Sequence, residues 1–113
     1  MIAVRSPYNL GHIAMIPEGE GRVYEIGNLA IAIFRTKEGE VYATQALCPH
    51  REGPLVDGII GAGKAVCPLH SFTFDLATGN PIGNDCQALV TYPVSLSDTG
   101  EILLTLNGQS FEV

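Results

Sequence analysis

Polar and apolar residues alternate over Arg22-Val23-Tyr24-Glu25-Ile26, the period of a strand with one face turned to a core. Gly27-Asn28 reads as a tight turn. Leu29-Ala30-Ile31-Ala32-Ile33-Phe34 is then apolar without a break and rich in branched side chains, which predicts a buried strand. Lys37-Glu38-Gly39-Glu40 is a second turn, followed by Val41-Tyr42-Ala43. Towards the end, Leu89-Val90-Thr91-Tyr92-Pro93-Val94 and Ile102-Leu103-Leu104-Thr105-Leu106 have strand character on either side of the turn Ser97-Asp98-Thr99-Gly100. Thirteen glycines and seven prolines punctuate the chain at short intervals, and no long stretch carries a helical period. Hairpin-spaced strands with glycine turns predict an all-β fold of antiparallel sheets, a barrel or sandwich. Val4 through Gly11 reads as a loose N-terminal segment.

The segment from about Gln45 to Cys86 breaks this rhythm. It has many turn residues, only short strand-like pieces, and two clusters of cysteine and histidine. Cys48-Pro49-His50 and Cys67-Pro68-Leu69-His70 together read C-x-H-x16-C-x-x-H. Each cluster offers one thiolate and one imidazole from a tight turn, so the pair supplies four metal ligands of two kinds. A zinc ion would take all four tetrahedrally, as in a structural zinc module. A [2Fe–2S] core would take both cysteines on one iron and both histidines on the other. Spacing alone does not separate these. The segment about 45–86 is therefore expected to be a metal-binding subdomain inserted between two halves of the sheet, within one domain spanning 1–113.

Composition narrows the function. An apolar fraction of 46% over 113 residues supports one modest core, and a formal charge of −6 argues against nucleic acid or an anionic membrane surface as partner. No apolar run is long enough to span a bilayer, and the first residues lack the apolar core of a signal peptide. Three cysteines, two of them in the clusters, are too few for a disulfide scaffold, so a reducing cytoplasm is the expected location. No nucleophile–base pair, phosphate-cradling glycine loop or flavin motif is visible, so catalysis by the chain alone is not expected.

The stretch Ala46-Leu47-Cys48-Pro49-His50-Arg51-Glu52-Gly53-Pro54-Leu55, with Val66-Cys67-Pro68-Leu69-His70, closely resembles the Rieske [2Fe–2S] proteins. The resemblance continues through Phe74-Asp75-Leu76-Ala77-Thr78-Gly79 and Tyr92-Pro93-Val94, and spans roughly Gly21 to Leu106. It implies the Rieske fold, a Rieske-type [2Fe–2S] cluster and one-electron transfer. By the same resemblance Cys48 and Cys67 would hold the buried iron, and His50 and His70 the outer one, with the histidine rings marking the electron's exit. Respiratory members of the family carry a further cysteine in each loop. Arg51 to Gly53 and Leu69 stand at those places here, and none is cysteine. The hydrogen-bonding Ser and Tyr that follow the second histidine in those proteins are replaced by Phe72 and Phe74. Fewer donors to the sulfurs stabilise the reduced state less, which implies a low reduction potential for the family.

At 113 residues the chain leaves no room for the catalytic domain of a ring-hydroxylating oxygenase, so a separate carrier or a small subunit is expected. Ala32-Ile33-Phe34-Arg35, Gly53-Pro54-Leu55 and Gly58-Ile59 look more like the small subunit of the cytoplasmic NAD(P)H-dependent nitrite reductase of nitrate assimilation. Its partner would be a larger subunit with siroheme and flavin. The alternative is a Rieske ferredoxin serving an aromatic-ring dioxygenase and its reductase. Ser71, and Gly83-Asn84-Asp85-Cys86 in place of a proline pair, weigh against that alternative. Among the remaining residues, Cys86 is expected to be a small packed side chain rather than a ligand, and His12 a solvated edge residue. Arg51 and Glu52 are expected as rim charges. Pro54, Leu55, Leu69 and Phe72 are candidates for an apolar collar whose exposed part could dock a partner.

Overall fold

The computed structural model describes residues 8–49, 53–68 and 72–106. Among them the regular structure is β-strand apart from two single 3-10 turns, Ile13–Met15 and Leu55–Asp57, so the chain is all-β as its punctuation predicts. Three antiparallel sheets organise it. The second sheet in chain order is built from β2 (Glu20–Ile26), β3 (Leu29–Arg35), β4 (Val41–Gln45) and β9 (Thr91–Tyr92), hydrogen-bonded in that order. The terminal segments form another, in which β1 (Tyr8–His12) and β10 (Val94–Leu96) flank β11 (Glu101–Leu104). The third joins β5 (Ile59–Gly61), β6 (Lys64–Val66), β7 (Thr73–Asp75) and β8 (Pro81–Ile82) in chain order.

β3 explains why its sequence is apolar without alternation. Its residues Ile31 to Phe34 are all fully buried, but they point to two different cores. Ala32 and Phe34 join a cluster with Cys48, Leu55, Cys67, Phe74 and Leu89. Ile31 and Ile33 join one with Ile13, Ile16, Ala43, Ile102 and Leu104. A strand covered on both faces cannot carry a polar face. Gly21, opposite Phe34 in the β2–β3 ladder, leaves room for its ring, because a Cβ there would lie 2.7 Å from Phe34 Cδ1.

Two expectations are corrected. Of the segment Val4 through Gly11 expected to be loose, residues 8–11 belong to β1, paired along β11 from Tyr8↔Leu104 to His12↔Glu101 at the edge of its sheet, while residues 4–7 lie outside the described residues. The run Leu89–Val94 is not one strand. Pro93 has no N–H to continue a ladder, so β9 ends before it and pairs with β4, while β10 begins after it and pairs with β11. The proline marks the corner where the chain passes from one sheet to the next.

Candidate metal centre

The two cysteines occupy equivalent places. β4 runs on through Ala46 and Leu47 to Cys48, and the chain doubles back so that Leu47 bridges Pro54 and the Leu55 N–H bonds the Ala46 carbonyl at 3.0 Å. The Cys48 N–H donates to the Gly53 carbonyl at 2.8 Å. In the second loop, β6 ends one residue before Cys67, whose N–H donates to the Phe72 carbonyl at 2.8 Å just before β7 begins. Each cysteine thus stands at the mouth of a hairpin loop and closes it through its own N–H to the residue five positions on.

Both side chains face the same interior. Cys48 is wholly buried and Cys67 is 2% exposed, in one cluster with Phe34, Leu55, Phe74 and Leu76. A thiolate in apolar surroundings is costly unless a cation compensates it, so a pair of them at loop mouths fits a metal group with soft ligands. Phe72 is half-buried and packs against this cluster, and Phe74 lies fully inside it. Their rings form part of the wall around the thiols and offer no hydrogen-bond donor.

His50 and His70 lie outside the described residues, as do Arg51, Glu52 and Leu69. Among the described residues no three of His, Cys, Asp and Glu come together to hold a metal. Cys86 is half-buried and packs against the cluster of Cys48 and Cys67, in keeping with its expected packing role. Leu55 is fully buried, which removes it from the exposed collar proposed around the clusters. Exposed apolar side chains beside the first loop include Pro54, as the collar expects, with Leu47, 44% exposed, and Val90, 51% exposed.

Two amide side chains beside these loops carried no signal in the sequence. Gln45 Nε2 donates to the Leu47 carbonyl and Gln45 Oε1 accepts from the Val90 N–H, both at 2.8 Å. Asn84 Oδ1 accepts from the Cys86 N–H at 2.8 Å. Tyr42 packs against the same core, and its hydroxyl donates to Glu40 Oε1 at 2.9 Å. That hydrogen bond, then burial and the charges of Glu40, Asp75 and Glu38, raise its pKa above 10.0, so the phenol is neutral at pH 7.

His12 is exposed at the edge of its sheet, as expected, but it also caps a turn. Its Nδ1 accepts from the Ala14 N–H at 3.0 Å. Among the described residues no helix is long and apolar enough to cross a membrane.

Residues 6–93 match the Rieske [2Fe-2S] domain family. The chain is 36% identical over 87 residues to the ferredoxin component of the naphthalene 1,2-dioxygenase/salicylate 5-hydroxylase systems of a Ralstonia species, covering 74% of this chain and 80% of that protein. Among solved structures it is similar to the ferredoxin of carbazole 1,9a-dioxygenase from Nocardioides aromaticivorans IC177, with a TM-score of 0.78 and 28% identity over 88% of this chain and 96% of that one. It also shares its fold with a Mycobacterium tuberculosis protein described as an NADH-dependent nitrite reductase small subunit, with a TM-score of 0.82 and 18% identity over 92% of this chain and 97% of that one.

Proposed function

The chain belongs to the Rieske [2Fe-2S] domain family and is an electron carrier with a Rieske-type [2Fe–2S] cluster, and from that premise we propose that Cys48, His50, Cys67 and His70 are its ligands. When bound, the cluster supplies a one-electron redox couple. The chain's own contribution is to hold both thiolates in a dry apolar core at two matched loop mouths. The observation that carries this reading is the burial of Cys48 and Cys67 in one cluster, each loop closed by its cysteine's N–H. His50 and His70 would complete the ligand set, and the family resemblance implies that the electron leaves through them. We read residues 1–113 as one Rieske domain, with the segment about 45–86 as its cluster-binding part, and place it in the cytoplasm on its cysteine usage.

The carrier serves a larger redox subunit. We propose that it is the ferredoxin component of a ring-hydroxylating oxygenase system. Support comes from the 36% identity to a ferredoxin component over most of both chains. This reverses the preference drawn from short sequence segments. The nitrite reductase small subunit stays as a second reading, favoured by Gly53-Pro54-Leu55 and Gly58-Ile59 and compatible with the shared fold.

Purified protein should be red-brown and give a rhombic electron paramagnetic resonance signal on reduction. Colourless protein with stoichiometric zinc would overturn the cluster reading. Cys48→Ser and Cys67→Ser should each abolish the visible bands. Reduced protein mixed with an oxygenase terminal component should be reoxidised in step with substrate hydroxylation. Reoxidation only by a siroheme subunit and nitrite would establish the second reading instead.

A further inference from the structure

Residues 83–90 run between β8 and β9 without belonging to any strand. Their backbone groups therefore need partners outside a ladder. Two amide side chains and two backbone groups supply them. Asn84 Nδ2 donates to the carbonyls of Thr73 and Ile82, each at 3.3 Å, while its Oδ1 holds the Cys86 N–H. The Leu89 N–H bonds the Gly79 carbonyl at 2.8 Å. Gln45 brackets Val90, its side chain accepting the Val90 N–H and its own N–H donating to the Val90 carbonyl at 2.9 Å. The same Gln45 amide reaches the Leu47 carbonyl, one residue before Cys48.

The ties run to both cysteine loops. Thr73 follows Phe72, whose carbonyl closes the Cys67 loop, and Leu47 leads directly into the Cys48 loop. Between the ties, the segment lays Leu89 into the core that contains both thiols and packs Cys86 against it. It is a strap across the two loops, fastened at its ends by two amide side chains.

We infer that Gln45 and Asn84 are positioning residues for the cofactor, fastening the strap 83–90 over the core of Cys48 and Cys67 and thereby limiting how much water reaches it. The inference rests on the cluster reading above. Reduction adds one negative charge to this core, and water stabilises that charge better than apolar side chains do. With a fastening removed, the strap opens locally while the ladders persist. Water then favours the reduced state, and the reduction potential rises.

The test uses the cluster-loaded protein and two variants, Gln45→Leu and Asn84→Ala. Two quantities are read: the midpoint potential by spectroelectrochemistry, and the rate at which iodoacetamide alkylates Cys86, with Cys86→Ser as the blank. The expected result is alkylation at least threefold faster in Asn84→Ala, with the redox equilibrium of both variants moved at least threefold toward reduction, about 28 mV at 59 mV per decade. Faster alkylation with an unmoved potential overturns the inference, and so does no change in either. A variant that keeps its far-ultraviolet spectrum but sheds the cluster faster supports it. A variant that loses that spectrum together with the cluster overturns it, since general destabilisation then suffices. Lack of visible bands in the unaltered protein would sink the cluster reading itself. Intact bands with an unmoved potential would sink only this inference.

Discussion

At the scale of single residues, two groups of positions decide the site. The thiols of Cys48 and Cys67 are useful because they are buried together, and each cysteine's own N–H helps to close its loop. Gly79 shows how little tolerance surrounds them. Its φ is +83°, and a Cβ there would collide with the Leu89 carbonyl oxygen. Gly79→Ala combines left-handed strain with a backbone clash, so it should cost about 2–4 kcal/mol in urea unfolding and loosen Leu89 from the core. Phe72 and Phe74 set a second expectation. Rings in place of hydroxyl donors leave the reduced state less stabilised, so the midpoint potential should fall near or below about −100 mV. A value above about +100 mV would contradict the argument from missing donors.

At the scale of elements, the strands of the third sheet are short and depend on their turns. β5 and β6 are joined by Ala62-Gly63, with Gly61 paired to Lys64, and both turn residues have positive φ, +52° at Ala62 and +74° at Gly63. A two-residue turn of this hand favours Asn-Gly. Ala62→Asn should therefore stabilise the protein by about 0.5–1 kcal/mol, measured as a higher denaturation midpoint with an unchanged cluster spectrum. β3 is the opposite case. Its apolar run was legible as a buried strand from sequence alone, because branched side chains without alternation leave no face for water. That its two faces feed two separate cores was not legible, since periodicity gives burial and not the identity of the neighbour. Pro93 was visible in the sequence as well, but reading it as part of one strand ignored its missing N–H.

For the whole molecule, the two cores share β3, so the sheet of β2, β3, β4 and β9 stands between the metal centre and the sheet of β1, β10 and β11. The centre is therefore carried by one side of a stable β scaffold. Leu47 and Val90 are brought together by Gln45 and are both exposed beside the first loop. An exposed apolar pair at this place suits a partner's surface better than solvent. Val90→Glu should slow electron transfer to the larger subunit severalfold and leave the visible spectrum unchanged, measured by stopped-flow reoxidation. Leu55, by contrast, is internal, and Leu55→Glu should abolish folding or loading instead of altering docking.

The sequence by itself determined the candidate ligands. Cys48, His50, Cys67 and His70 were legible as a proposed set because metal ligation demands particular atoms at short spacings, while the choice of a [2Fe–2S] cluster over zinc came from the family and not from the spacing. It also determined the strand content, since turns and alternation are local. The tertiary structure decided what depends on contacts between distant residues. It showed Cys48 and Cys67 in one buried core, it moved Leu55 from the surface to the interior, and it recruited the first strand to an edge next to β11. The strap is the clearest instance. Gln45 and Val90 are 45 positions apart, and neither residue type signals a fastening until folding sets one amide against the other's backbone.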